Sequence, residues 1–396
     1  MNVRNVEWVV KISKQCNLRC TYCYEFPFLA NPARMSLDDL RQMFRHISEF
    51  YADDPKRMDF VWHGGEPLLI EPEYYETIQR IQHEEFDPTQ VPFTNSVQTN
   101  LTVLNPRILR FLKSGAIGNI GVSLDLFGDQ RVNIAGRPSQ PLVLRNMQRL
   151  LDEGIAFGCI TVLSRATAPH IEAIYEFFEE IDTSFRLLPI YRTGYEHQQD
   201  TLALRDDEIV QTFKKVVDLW LRSDSSIQVR PIQDYITHVV AKLGGAERRS
   251  HYNKMNDEVV YIVETDGSLY SVADPPDERL CHGNIFRMSL SRLKHTPGYL
   301  RAVAGATKRM DEACSDCQYY GICSGYFMGE ATPEQRNTTE RGRVRCGVAR
   351  PVQEYIEEVL LASPQVKCSL THSAERDTHS ATCFTSLGPV SGEARS

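Results

Sequence analysis

The stretch Cys16-Asn-Leu-Arg-Cys20-Thr-Tyr-Cys23 constrains this chain more than any other. Three cysteines at C-x3-C-x2-C spacing follow directly on an apolar run, Trp8 to Ile12, that reads as a strand. Three thiolates on one short loop can ligate three irons of a [4Fe–4S] cluster and leave the fourth iron open to a small molecule. Zinc sites usually close with four ligands, and ordinary ferredoxin clusters take four cysteines. An incomplete set therefore points to cluster chemistry on a bound cofactor.

Downstream, helical and strand patterns alternate. Helical spacing covers Asp38–Tyr51, Pro72–His83, the stretch from Pro106 to Gly115, Pro141–Glu153 and Pro169–Glu180. Strand patterns cover Asp59–Trp62, Phe93–Thr99, Asn119–Asp125, Phe157–Ser164 and Phe185–Ile190. Proline at the first turn and glycine past the end mark several helix boundaries. Six strands alternating with helices imply an α/β fold with a parallel sheet and right-handed crossovers. In barrels of this type ligands collect at the C-terminal strand ends. The cysteine loop, Gly64-Gly65-Glu66-Pro67, Gln98-Thr99-Asn100 and Ser123/Asp125 all fall at such ends.

Composition excludes several classes. An apolar content of 42% over 396 residues supports a main domain and a smaller appendage. No apolar run approaches the ~20 residues needed to span a bilayer, and no signal peptide is expected. The net charge of −8 argues against nucleic-acid binding. The chain is too long for a disulfide-dependent mini-fold. Its clustered cysteines read as metal ligands in a reducing cytosol, so the expected location is cytoplasmic.

The cysteine spacing, with Tyr22 before the last cysteine, resembles the radical S-adenosylmethionine (radical SAM) superfamily. His63-Gly64-Gly65-Glu66-Pro67 looks like that family's GGEP motif, in which the glycine backbone and the Glu carboxylate hold the methionine amino group of SAM. Ser123-Leu-Asp125 and then Arg137 look like the Ser-x-Asp…Arg stretch that contacts SAM. The loop Phe127–Ala135 is longer than usual, and Arg131 competes with Arg137 for that role. The resemblance implies a partial (β/α)6 barrel and SAM contacts from Tyr22, Gly64, Gly65, Glu66, Asn100, Ser123, Asp125, Arg137 and Leu188. Leu187 and Leu188 would pack near adenine, and Trp62 and His63 would line the substrate side.

A second cysteine group, Cys314-x2-Cys317-x5-Cys323 with Cys346 further on, lies beyond a hairpin turned at Asp266-Gly267. Spacing alone leaves zinc and a closed iron–sulfur cluster both open. With the N-terminal motif, the layout resembles the SPASM extension, which holds auxiliary [4Fe–4S] clusters. Three cysteines of the family pattern are replaced here by Val272, Met288 and Phe327. All three belong to one of the two auxiliary clusters, so the resemblance implies one intact auxiliary cluster and two [4Fe–4S] clusters in total. Cys281 reads as a free thiol or stray ligand, and Cys159 as core. Cys368 and Cys383 are not expected to be structural ligands. The domains expected are a barrel over 1–225, a helical connection over 226–258, a cluster domain over 259–362 and a disordered tail over 363–396.

The implied activity is that of a radical SAM oxidoreductase. The form of the Trp62–Leu69 motif and Leu126–Arg131 resemble maturases that cross-link side chains of ribosomally made precursor peptides, cyclophane formers among them. The alternatives are sulfatase-maturase-type formylglycine formation and dehydrogenation of a sugar or aminocyclitol. Expected partners are a precursor peptide and an electron donor such as flavodoxin or ferredoxin. With the first ligand at Cys16, leader recognition would need another surface or a separate partner protein.

Overall fold

A computed structural model describes residues 5–190, 201–257, 259–272, 277–332 and 336–362. The tail expected over 363–396, with Cys368 and Cys383, lies outside the described residues. Ten strands form one sheet: β1 (Asn5–Ser13), β2 (Arg57–Gly64), β3 (Phe93–Thr99), β4 (Asn119–Ser123), β5 (Gly158–Leu163), β6 (Phe185–Pro189), β7 (Val229–Arg230), β8 (Val260–Val263), β9 (Ser268–Ser271) and β10 (Gly283–Asn284). Their spatial order is β10-β9-β8-β1-β2-β3-β4-β5-β6-β7. Strands β1 to β7 are parallel and neighbour one another in chain order. The partial (β/α)6 barrel expected from the sequence is therefore present.

The crossovers carry α1 (Leu37–Tyr51), α2 (Pro72–Phe86), α3 (Pro106–Lys113), α4 (Gln140–Asp152), α5 (Ile171–Glu180) and α6 (Asp206–Arg222). Their starts follow local chemistry. The Ser36 side chain accepts from the Asp39 N–H, and the Asn105 side chain accepts from Arg107 and Ile108 N–H before Pro106. These bonds satisfy amide donors that a first helical turn leaves orphaned.

Strand alternation sorts the side chains. On β1, Val6, Trp8, Val10 and Ile12 are buried in the main core, whereas Lys11 and Ser13 are buried on the opposite face. On β3, Asn95, Val97 and Thr99 are buried, and Thr94, Ser96 and Gln98 are half-buried between them. The face turned away from the main core is thus rich in polar groups, which suits binding rather than close apolar packing.

The stretch expected as a helical connection does more than connect. Residues 226–258 supply β7, which pairs with β6, and α7 (Ile232–Leu243). The cysteine-rich region is joined to the same sheet, because β8 pairs in parallel with β1 while β9 and β10 fold back antiparallel. Trp8 and Tyr261 fasten this junction: both are fully buried, and their rings stack 4.5 Å apart. No described helix is long and apolar enough to cross a membrane.

Because the junction rests on this stacked pair, Tyr261→Ala should destabilise the chain by about 3–5 kcal/mol, the range for truncating a buried aromatic. Denaturant unfolding measures it. A loss far below that range would mean that backbone pairing alone holds β8 on β1.

Candidate functional site

The elements converge at the C-terminal ends of the parallel strands. β1 ends at Ser13 and leads into Cys16, β2 ends in Gly64, β3 ends before Asn100, and β4 ends at Ser123. The cysteine loop is braced by the chain after β4. Arg19 N–H donates to Val132 O at 2.7 Å, Thr21 N–H donates to Gln130 O at 2.9 Å, and Leu18 bridges Asn133. The extra length of the loop over 127–135 is spent on this brace.

Gly64 and Gly65 approach the chain's own backbone, where the sequence suggested approach to a ligand. Gly64 has φ +117°, and a Cβ there would stand 2.1 Å from Ser13 O. A Cβ on Gly65 would stand 2.2 Å from Gln15 O. Hydrogen bonds from Gly65 N–H to Ser13 O and from Glu66 N–H to Gln15 O close this crossing at 2.9 and 2.8 Å. The motif is thereby laid directly over the approach to Cys16.

Glu66 is 1% exposed. Its carboxylate accepts from Thr99 Oγ1 at 2.6 Å, Asn100 N–H at 2.7 Å and Leu68 N–H at 2.9 Å. Burial pushes its pKa up, and these three bonds oppose that. No lysine or arginine among the described residues pairs with it. A buried carboxylate is costly without a cation, so the geometry suits an incoming ammonium. Asn100 reaches from the same strand end to Asn17 Oδ1 at 3.0 Å and to Cys16 Sγ at 3.8 Å.

A second buried cluster gathers after β4. The Tyr22 hydroxyl donates to Asp125 Oδ2 at 2.5 Å, and Val162 N–H donates to Asp125 Oδ1 at 2.9 Å. Arg131 Nε lies 3.3 Å from Asp125 Oδ2, an ion pair without hydrogen-bond alignment, and Arg131 Nη1 lies 3.9 Å from Cys20 Sγ. Burial, Asp125 and Cys20 all push the Tyr22 phenol well up, with only the Arg131 charge opposing them. Of the two competing arginines, Arg131 is the one beside Asp125. Arg137 is exposed on the turn Asn133–Arg137, whose backbone closes on itself. Ser123 accepts from Gln98 Nε2 at 2.8 Å.

Alternation decides two further expectations. Leu187 is core, and Leu188 lies on the opposite, half-buried face of β6. Trp62 does not line the site: it is buried on the helix side, donating to Asn95 Oδ1 at 3.1 Å. His63 has the other orientation, opposite Lys11 in the sheet register. Its Nδ1 accepts from Gly64 N–H at 2.7 Å. Burial, then the Lys11 charge, lowers its pKa to about 4, so the ring is neutral at pH 7.

Sequence reasoning missed the charge cluster beside the cysteine loop. Lys11 pairs with Glu25 at 2.5 Å and with Glu264 at 2.6 Å, and Lys14 lies 3.0 Å from Glu264. This links β1, the segment after Cys23 and the turn after β8. A lysine inside the strand pattern of β1 was the available signal.

In the C-terminal region, Cys314 ends the helix Pro297–Cys314, and Cys317 N–H donates to Cys314 O at 2.9 Å. Cys314, Cys317, Cys323 and Cys346 all line one small recess. A Cβ on Gly325, at φ +81°, would stand 3.3 Å from Cys314 Sγ. Among the described residues no three His, Cys, Asp or Glu side chains are close enough together to hold a single metal ion. Four thiols around one recess are a donor set that a closed iron–sulfur cluster or a four-coordinate zinc could take. Burial is the first cause pushing Cys314 and Cys346 up to about 12, and Cys16 up to about 11. Cationic iron would reverse that by holding thiolates. Met288 and Phe327 pack against the main core, and Phe327 also walls the recess. Cys281 is half-buried with Sγ 3.8 Å from Gly283 O, and Cys159 is 3% exposed in the core.

Gly65→Ala should destabilise the chain by about 1–3 kcal/mol, the usual cost of forcing an extra carbon into packed structure. Thermal unfolding and iron retention after reconstitution check it. Unchanged values would mean that the crossing over Gln15 relaxes freely.

Comparison with known proteins agrees with this geometry. The family description "Radical SAM superfamily" matches residues 10–178. The serine-type anaerobic sulfatase-maturating enzyme of Klebsiella aerogenes is 34% identical over 351 residues, spanning 85% of this chain and 81% of that protein. Among solved structures, native anSMEcpe with bound AdoMet and Cp18Cys peptide superposes with a TM-score of 0.67 at 20% identity, covering 93% of this chain and 99% of that one. Streptococcus suis SuiB bound to precursor peptide SuiA gives 0.55 at 15% identity, covering 83% and 75%. The two structures show a shared fold, and family members use SAM and a [4Fe–4S] cluster. From the likeness to the Klebsiella enzyme over most of both chains and the family match over residues 10–178, this chain belongs to the radical SAM superfamily, among the relatives of the anaerobic sulfatase-maturating enzymes.

Proposed function

We propose that this chain is a radical SAM maturase that oxidises a side chain of a peptide or protein substrate, with sulfatase-type formylglycine formation as the leading reaction. The observation that carries the reading is Glu66, a buried, triply hydrogen-bonded carboxylate without a cation, laid over the approach to Cys16. When bound, SAM on the open iron supplies a 5′-deoxyadenosyl radical that abstracts a hydrogen from the substrate.

The chain's own residues hold and orient. Cys16, Cys20 and Cys23 would ligate the first cluster. Glu66 would take the SAM ammonium, with Asn100 and the Gly64–Gly65 crossing fixing its place. Arg131, already charged beside Asp125, stands nearer the SAM carboxylate role than exposed Arg137. Tyr22 and Ser123 complete that side, and Leu188 offers an apolar wall for adenine. Cys314, Cys317, Cys323 and Cys346 leave no iron position open, which suits a second cluster that passes electrons rather than binds substrate.

The sequence alone put cross-linking first. The 34% identity with a sulfatase-maturating enzyme reverses that order. Cross-linking stays as the second reading because Val272, Met288 and Phe327 replace the ligands of one auxiliary cluster, and because SuiB, a peptide-binding relative in fold, superposes with a TM-score above one half. A peptide substrate is supported by the peptides bound to both solved neighbours. An acidic electron donor of the flavodoxin or ferredoxin type would supply the first cluster.

Glu66→Gln keeps the shape and removes the charge. It should weaken SAM binding by about 1.5–3 kcal/mol, the range for a hydrogen bond to a charged group. Calorimetry on the reconstituted protein decides, and an unchanged dissociation constant would leave Glu66 a purely structural acceptor.

Anaerobic reconstitution should give about eight irons per chain, from two four-iron clusters. Alanine at Cys16, Cys20 and Cys23 should abolish 5′-deoxyadenosine formation, while alanine at Cys314 and Cys317 should retain part of it and stop product formation. With a serine-bearing sulfatase peptide, the product should be lighter by two hydrogens and react with a hydrazine probe. A product of that mass without an aldehyde would select cross-linking, and an unchanged peptide mass would remove both readings.

A further inference from the structure

The molecule is acidic overall, with a net charge of −8, yet the segment that delivers the fourth auxiliary cysteine is basic. Residues 337–345 form a small hairpin. Thr338 bridges Val344, Thr339 N–H donates to Arg343 O, and Arg345 N–H donates to Asn337 O. Gly342, at φ +74°, makes its turn. Two-residue alternation about Val344 places Arg343 and Arg345 on the face opposite it, and Arg341 sits in the turn beside Gly342. Val344 packs against the apolar cluster of Met310, Cys314 and Met328, and its N–H donates to Glu312 at 2.8 Å. All three arginines are exposed. Arg345 has only Asp206, at 3.9 Å, and neither Arg341 nor Arg343 has an ion-pair partner among the described residues.

The fold gains nothing visible from this row. Three like charges on one short hairpin repel each other, and only Asp206 beside Arg345 and Glu340 at the turn offset them in part. A local basic patch on an acidic protein instead creates a directed field that attracts an acidic partner and repels the molecule's own kind. Its position limits the partner further. The next residue along the chain is Cys346, which lines the four-thiol recess together with Arg350. A protein that exchanges electrons must dock close to the group it exchanges with, because transfer weakens steeply with distance.

We propose that the face of Arg341, Arg343 and Arg345 is the docking surface for an acidic one-electron carrier protein of the flavodoxin or ferredoxin type. The proposal rests on the reading of Cys314, Cys317, Cys323 and Cys346 as ligands of an electron-passing cluster. The electron count closes. SAM cleavage consumes one electron, and hydrogen abstraction leaves a substrate radical. That radical loses one electron and one proton to become product. The oxidised carrier takes up the electron at this face, so uptake and release balance over one turnover.

The test uses the full-length reconstituted protein and a purified acidic flavodoxin, with affinity measured by calorimetry at low and high salt. Wild-type affinity should fall as salt rises. R341E/R343E/R345E should weaken binding by about tenfold or more and flatten the salt dependence, whereas R341K/R343K/R345K should stay within about threefold, because charge rather than shape is read. Iron content and dithionite-driven 5′-deoxyadenosine formation should be unchanged in both. If the triple charge reversal loses iron, R343E alone carries the same test with a smaller expected loss. Equal flavodoxin affinity in wild-type and charge-reversed protein would overturn the proposal. So would a loss of substrate-peptide affinity with flavodoxin binding intact, which would assign the face to the peptide. An iron content near four per chain with bound zinc would overturn the cluster reading of the recess, a failure visible without any flavodoxin.

Discussion

The crossing of Gly64 and Gly65 over Ser13 and Gln15 is the contact on which the site depends. Two strands of a parallel sheet end side by side, and the chain leaving the second must pass over the chain leaving the first. Any side chain at either glycine would meet a carbonyl oxygen at about 2 Å. With the Cβ absent, the backbones hydrogen-bond directly and Glu66 drops to where the end of β3 can hold it. One local permission for close approach thus couples three strand ends and aligns a carboxylate with the cysteine loop.

Charge is handled differently on the two sides of that loop. Toward β4, Tyr22, Asp125 and Arg131 form a buried cluster that reaches Cys20. Toward β8, Lys11 is clamped by Glu25 and Glu264. Buried ion pairs of this sort add little net stability, but removing one partner is costly. Their value here is positional. Glu25 belongs to the segment after Cys23 and Glu264 to the turn after β8, so Lys11 holds the cysteine loop and the C-terminal extension in one arrangement. The stacked Trp8–Tyr261 pair works on the same junction from the apolar side.

The C-terminal extension is therefore a continuation of the barrel sheet rather than a separate lobe. β8 adds to the free edge of β1, which covers an edge that would otherwise invite pairing with another chain. The helix Pro297–Cys314 and the hairpin over 337–345 then bring four thiols to one recess from positions far apart in the chain. Arginines on the outer face of that hairpin give an acidic molecule one basic approach.

Much of this was legible in the sequence, because the chemistry is local. The cysteine spacing, the glycine pair and Glu66, the cysteine group from 314 to 323 and the alternation of helices and strands are short-range patterns, each tied to a nearby backbone requirement. The boundaries of Phe93–Thr99 agree with the structure for the same reason. Tertiary structure decided what depends on residues distant in sequence. It set Arg131 rather than Arg137 beside Asp125, since only folding the loop after β4 against the cysteine loop shields one and exposes the other. It turned Trp62 into core and His63 toward Lys11, since the face of a strand is set by what packs on it. It joined Lys11 to Glu264 across some 250 residues, a pairing that no local pattern encodes.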